Sequence, residues 1–293
     1  MLLGLVFLVS AVAKFVDMDH FEIHVFSYGL LSLNASFLVA RLIVVAEMLV
    51  GIGLMSNLWH RFVNACTCLM LVGFTVFLCY AVLVGRTDSC QCMGPLLDID
   101  PAGSILKNVV LLLLLYVGMH CAPFRWQPRW FVWLPVVLAP LVTVFVVSAP
   151  DNWLFGPSEE AYGIAEFQKA VSEEGELAEL HLNEGRHVVT VVHPKCKFCR
   201  MAVQKLSSIQ QRHDLDEEDF LFLEPVEDTL AQDLPLDTAT FHRPVYQMSV
   251  GTFVRITYGQ FPMVFLMKDG EVVGTSHYRN INESQIVSFY EKE

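Results

Sequence analysis

The chain reads as two fold classes in series: an α-helical membrane bundle over residues 1–149, then an α/β soluble domain over residues 150–293. Three observations predict this. Apolar runs of the length that crosses a bilayer, roughly 20 residues, are confined to the first half. Residues 1–150 carry seven Lys/Arg and seven Asp/Glu, and residues 151–293 carry twelve and twenty-four, so the formal charge of −12 lies wholly in the second half. That half alternates strand and helix patterns, with a Cys-x-x-Cys at one junction.

The first apolar run is Leu2–Phe15. It lacks the basic start of a signal peptide, and Lys14 interrupts it where a small-residue cleavage site would fall, so a retained helix is expected. Residues 17–34 mix aromatic and polar groups and suit an interfacial helix. Phe37–Leu58, Phe62–Val84, Gly103–Cys121 and Phe131–Ser148 complete about five spans, separated by loops with Trp and Arg at interface depth. Cys66, Cys68, Cys79 and Cys121 fall inside or at the end of these runs and read as small membrane-core residues.

Five crossings put the loop "RTDSCQCMGPL", with Cys90 and Cys92, on the same side as everything after residue 150. The Lys/Arg count does not settle which side that is. Paired thiols that cycle through disulfides belong in an oxidising space, which predicts an inner-membrane protein with its soluble domain in the periplasm. A Cys-x-Cys bridge needs a tight turn, for which Gly94 and Pro95 supply propensity. Such a bond is strained and easily reduced.

Ionisable residues inside the runs are expensive in lipid and face the bundle interior or a partner. They are Lys14, Arg41, Glu47 and Lys107, the last followed by Asn108. Glu47 sits mid-span, with Lys14 or Arg41 as its expected partner.

Residues 148–163 form the linker. "EFQKAVSEEGELAEL" then reads as a helix, "HVVTVV" (187–192) as a buried strand, residues 199–213 as a helix and 219–226 as a strand. A hairpin turning at Asp269-Gly270 and a closing helix "NESQIVSFYEK" end the chain. Cys196 falls at the start of a helix, where unsatisfied amides and the flanking Lys195 and Lys197 favour a thiolate. Cys199, one turn inside, fits a resolving role.

Strand, CKFC, helix, Pro-led hairpin and terminal helix together resemble the thioredoxin family over about residues 160–293. That resemblance implies a cis-proline facing the active cysteines, matched by Pro262, with Phe261 before it contacting the substrate backbone. "HPKC" departs from the aromatic that often precedes the first cysteine, leaving substrate preference open.

Residues 1–125 resemble the MauE (methylamine-utilisation) family, related to DoxX-like membrane proteins. The likeness is carried by "LVSAVAKF", "YGLL", "ARLIVVAEMLVGIGL", "SCQCMG" and "KN". It implies disulfide handling.

Nothing basic or repetitive points to nucleic acid. The expectation is a membrane-anchored thiol–disulfide oxidoreductase in which Cys90/Cys92 exchange electrons with Cys196/Cys199, acting on extracytoplasmic protein thiols and disulfides beside the lipid bilayer. Analogy with vitamin K epoxide reductase homologues fused to thioredoxin-like domains points to a quinone as onward carrier. Two rivals are a scaffold that tethers a thioredoxin-like module, and a thiolate metal handler. The lack of a third-residue-spaced His or Met beside CKFC speaks against the latter, and the absence of a second ligand pair in the soluble domain speaks against reading the Cys-x-x-Cys as half a zinc site.

Overall fold

A computed structural model describes residues 2–56, 59–83, 100–121, 133–151, 163–172, 175–180, 182–193, 195–226 and 245–291. It divides into two compact units, residues 1–25 with 36–150, and residues 26–35 with 151–293.

The apolar runs of the first unit are helical. These are α1 (Leu2–Val16), α3 (Leu33–Ser56), α4 (His60–Leu83), α5 (Pro101–Cys121) and α6 (Trp133–Val147), with α2 (Met18–Ser27) between the first two. Three of them, α3, α4 and α5, contain stretches long and apolar enough to cross a membrane, while α1 and α6 are shorter. A helix satisfies its own backbone polar groups, as hydrocarbon demands. α5 begins as its sequence dictates: Asp100 accepts the Gly103 N–H at 3.1 Å, and Pro101 occupies the first helical position, where its missing donor costs nothing.

Apolar side chains also cover the outside of this unit. Leu69, Val76, Leu83 and Leu113 are more than 60% exposed, a surface suited to lipid and not to water. Inside, α1 and α3 approach closely at two glycines. A Cβ placed on Gly51 would stand 2.7 Å from Leu8 and 3.1 Å from the Gly4 carbonyl. Only small residues permit that spacing. The contact holds the polar groups of α1 against those of α3.

The second unit is a five-stranded mixed sheet flanked by helices, a thioredoxin-like α/β arrangement. Its elements are α7 (Ile164–Val171), β1 (Arg186–Val191), α8 (Lys197–His213), β2 (Phe220–Pro225), β3 (Val245–Met248), α9 (Val250–Thr257), β4 (Met263–Lys268), β5 (Glu271–His277) and α10 (Glu283–Glu291). The strand order is β3-β2-β1-β4-β5. β1–β2 and β2–β3 are parallel, while β1–β4 and β4–β5 are antiparallel. β1 is central and covered on both faces, which is why "VVTV" has no polar alternation and all four residues are buried.

Phe167 of α7 stacks on Phe265 of β4 at 4.1 Å, in a core that includes Val189, Leu223 and Phe253. Burying each such ring contributes about 1.5–3 kcal/mol. At the β4–β5 turn, Asp269 and Gly270 both have positive φ, 50° and 83°, the conformation that Asp-Gly favours.

The structure corrects one helix. The segment expected to be helical over 166–180 is α7 only to Val171, and a separate 3₁₀ turn spans Ala178–Leu180. Ser172 is extended, and the chain folds back so tightly that a Cβ on Gly175 would stand 2.2 Å from the Ala170 carbonyl. Glycine tolerates that approach, and the continuous helix is lost there.

Candidate active site

The Cys-x-x-Cys lies where β1 gives way to α8. Cys196 is the helix N-cap, in extended backbone conformation, and its Sγ accepts the Cys199 N–H at 3.3 Å. The chain reaches it through a turn in which the Cys196 N–H donates to the His193 carbonyl at 3.0 Å. Cys199, one turn along, is fully buried, and its Sγ accepts the His193 N–H at 3.3 Å. Burial pushes the Cys199 thiol well above its ordinary range, and the hydrogen bond with Cys196 adds to this. The two sulfurs are therefore unequal. Cys196 is half-buried at a helix start, and Cys199 is held protonated in the interior.

Pro262 follows a cis peptide bond from Phe261 and leads directly into β4. Since Val191 pairs with Met263, the end of β1 and the start of β4 lie side by side. The Phe261–Pro262 step is thus brought to the same end of the sheet as the CKFC turn. His193 joins the two loops. Its ring stacks on Phe261 at 5.3 Å and is tilted against Phe253 at 6.1 Å. Sequence reasoning missed this histidine, because nothing in "VVHPKC" shows which ring it will meet. Phe198, between the cysteines, is exposed and lies 5.4 Å from Tyr278.

The intramembrane polar residues divide into two groups. Lys14 donates to Glu47 at 2.6 Å and to Ser10 at 2.8 Å, while Ser10 donates to the other Glu47 oxygen at 3.2 Å. Lys107, half-buried, lies within electrostatic range of both Lys14 and Glu47. Asn108 is buried and donates to Thr75 of α4 at 3.3 Å. Both residues sit about two turns inside α5.

Arg41 is not the partner of Glu47. A separation of six residues rotates it roughly 240° around the helix, away from Glu47. It donates instead to Glu22 of α2 at 2.7 Å, and to the carbonyls of Phe37, Ser148 and Ala149. Glu22 was hidden in the segment read as interfacial; it is fully buried.

Of the apolar-run cysteines, Cys66 is half-buried, whereas Cys68 and Cys79 lie exposed on the outer face of α4. Cys90, Cys92 and most of the linker lie outside the described residues, as does the Cys121 side chain. Among the described residues, no group of three or more His, Cys, Asp or Glu could hold a metal ion.

Residues 1–121 match the family of the methylamine utilisation protein MauE, so the first unit is a MauE-like membrane domain. Protein TlpB of Flavobacterium psychrophilum is 26% identical over 156 residues, which cover 50% of this chain and 42% of that protein. This chain therefore matches less than half of that relative's length. No solved structure gives a significant match.

Proposed function

From a MauE-like membrane domain joined to a thioredoxin-like domain, we propose a membrane-anchored thiol–disulfide oxidoreductase. One observation carries the proposal: the asymmetric cysteine pair, with Cys196 capping a helix and Cys199 buried behind it, beside the Phe261–Pro262 loop.

The chemistry follows from that asymmetry. The Cys196 thiolate attacks a client disulfide, forming a Cys196–client bond and releasing one client thiolate, which takes a proton from water. Cys199 then loses its proton to solvent and attacks the Cys196 sulfur. This releases the second client thiol and leaves a Cys196–Cys199 disulfide. Two electrons pass to the client, and run in reverse the same steps oxidise it. Phe261 and Pro262 line the place where the client backbone lies.

Cys90 and Cys92 complete the proposal as a second dithiol that exchanges with the first by the same two displacements. Covalent attachment puts one pair at an effective concentration of about the mM range at the other. The compartment is the periplasm, with clients that are extracytoplasmic proteins. A membrane quinone is the onward carrier in this reading. It would accept two electrons and two protons, and the Lys14–Glu47 pair and Lys107 place proton-bearing groups inside the membrane domain.

Trapping tests the core of this. Cys199→Ser should accumulate mixed disulfides through Cys196, visible on non-reducing gels. A Cys92→Ser, Cys199→Ser double variant should form an internal Cys90–Cys196 bond, with Cys90→Ser, Cys199→Ser run in parallel for a Cys92–Cys196 bond. If neither cross-link forms, and loss of both Cys90 and Cys92 leaves the redox state of Cys196/Cys199 unchanged in cells, a tethering scaffold is the better reading.

A further inference from the structure

The start of α1, the end of α3, the start of α4 and the end of α5 surround a cavity of about 600 Å³. Leu2, Leu54, Val63 and Leu115 give it one apolar wall each. Lined by the first turns of α4 and the last turns of α5, it lies at the end of the unit away from the α4–α5 connection. Leu2, Leu114 and Met119 line it and are also exposed, so its mouth opens on the apolar outer surface.

Two polar side chains break the apolar lining. His60 and Asn64 stand on one face of α4, a turn apart, and both line the cavity. Both are half-buried, and neither has a hydrogen-bond or ion-pair partner among the described residues. Nearby hydroxyls behave otherwise. Ser56 donates to the Ile52 carbonyl at 2.5 Å, and Thr67 and Thr75 donate to the Val63 and Leu71 carbonyls at 2.7 Å each. A polar group among apolar ones is costly unless it is hydrogen-bonded, and local bonds meet that cost for the hydroxyls but not for His60 or Asn64.

We infer that this cavity seats one acyl chain of a membrane phospholipid, whose ester carbonyls accept hydrogen bonds from His60 and Asn64; the inference stands apart from the thiol chemistry. The volume falls within the range of small-molecule sites, roughly 300–1,000 Å³, and the lining has their usual character, apolar with a few polar groups. No Lys, Arg, Asp or Glu is among the described residues that line it, which suits a neutral, hydrogen-bonding head on an apolar body. A quinone shares that description, but as oxidant of the dithiol it would be at the wrong end. Leu83, where α4 ends before Cys90 and Cys92, is 19 positions after Asn64, about 29 Å along the helix. Thiol chemistry needs contact.

The shape of α1 gives the lipid a purpose. This helix has 15 residues, fewer than the roughly 20 that cross a bilayer. It is pinned to α3 at Gly4, where a Cβ would stand 2.7 Å from the Met55 side chain. Held there, its first turn leaves a gap before α4 and α5, and an acyl chain fills what side chains do not.

The test uses the full chain in nanodiscs of phosphatidylcholine, with a trace of phosphatidylcholine that carries a diazirine on one acyl chain. After illumination, the adducts are mapped by peptide mass spectrometry. Leu54, Val63 and Leu115 should carry about tenfold more label than Leu69 and Val76, exposed on the outer face of α4, as two hydrogen bonds of ordinary net strength would give. Gly118→Leu should cut the cavity label by about the same factor and spare Leu69 and Val76, since nothing lies within 4 Å of a Cβ at Gly118 and the side chain has room to enter. The double variant His60→Leu, Asn64→Leu breaks no bond among the described residues and should lower the cavity label in the same way.

Even labelling of cavity and outer face assigns the volume to bulk lipid and overturns the inference. So does a cavity label that survives the double variant, which shows that His60 and Asn64 hold no head. If excess decylubiquinone displaces the cavity label and excess unlabelled phosphatidylcholine does not, the site belongs to a quinone and the phospholipid assignment falls.

Discussion

Removing either member of the Lys14–Glu47 pair should be among the most damaging single substitutions in the membrane unit, and the two members should not be equal. Both side chains are about 96% buried, and the amine makes two bonds, to Glu47 and to Ser10. Deleting one partner of a buried ion pair leaves an uncompensated charge, at a cost of about 3–5 kcal/mol. Glu47→Met strands Lys14 with Lys107 also in range, two like charges and no counter-charge from Glu47. Lys14→Met leaves Glu47 with the Ser10 hydroxyl and the field of Lys107.

The first variant should therefore sit near the top of that range and the second near the bottom. The double Met variant should recover most of the loss, because apolar groups of similar volume replace a buried pair at little cost. With a loss of about 1 kcal/mol left in the double variant, the coupling energy, the two single losses less the double, is about 7 kcal/mol, on the order of 10⁵-fold in the unfolding equilibrium. Unfolding of the full chain in mixed micelles with rising SDS, followed by tryptophan fluorescence, gives all four values. Single losses below about 1 kcal/mol, or simple additivity, would show that water reaches the pair and that the desolvation argument is wrong.

Three further outcomes follow from the described geometry. The raised Cys199 thiol contributes stability to the reduced protein that is fully present below the unfolded thiol range and lost as pH rises above about 9, while Cys199→Ala should lack this loss. Denaturant titrations of both forms at pH 7 and 10 measure the difference, and comparison with Cys199→Ala cancels the like-signed effect of Tyr290. Arg41→Lys cannot serve the four acceptors on Glu22, Phe37, Ser148 and Ala149 with one ammonium, so a loss of about 2–4 kcal/mol is expected from thermal unfolding in detergent. Glu176→Ala removes the carboxylate that accepts from the Ser249 hydroxyl and from Thr252 at the start of α9. Calorimetry should show a loss of about 1 kcal/mol that Glu176→Gln partly restores.

The membrane helices were legible because hydrocarbon imposes one simple rule, length of apolar sequence, and α3, α4 and α5 obey it. The Cys-x-x-Cys was legible because chemistry and local structure coincide there, a β-branched run meeting a helix start. Arg41 was harder. Its partner depends on which way a side chain leaves the helix, and Glu22 lies on a different element. α9 was missed for another reason. Val250, Thr252, Val254, Ile256 and Thr257 are β-branched, a composition that favours strand, and the helix is set by the Ser249 cap and by Phe253 and Ile256 packing into the core. The break after Val171 is tied to Gly175, and a single glycine is compatible with a helical pattern. What closed it was the approach to the Ala170 carbonyl, which no periodicity reports.

The strand order has a temporal side. β1 and the two cysteines are made early, but β4, which flanks β1 opposite β2, begins 72 positions after β1 ends, from Val191 to Met263. At about 5–20 residues per second, that interval lasts roughly 4–14 s. For those seconds the nascent chain presents Cys196 and Cys199 with the sheet lacking at least two of its five strands, open to any oxidant or thiol nearby. A cysteine that ends fully enclosed begins life as one of the more accessible groups in the domain.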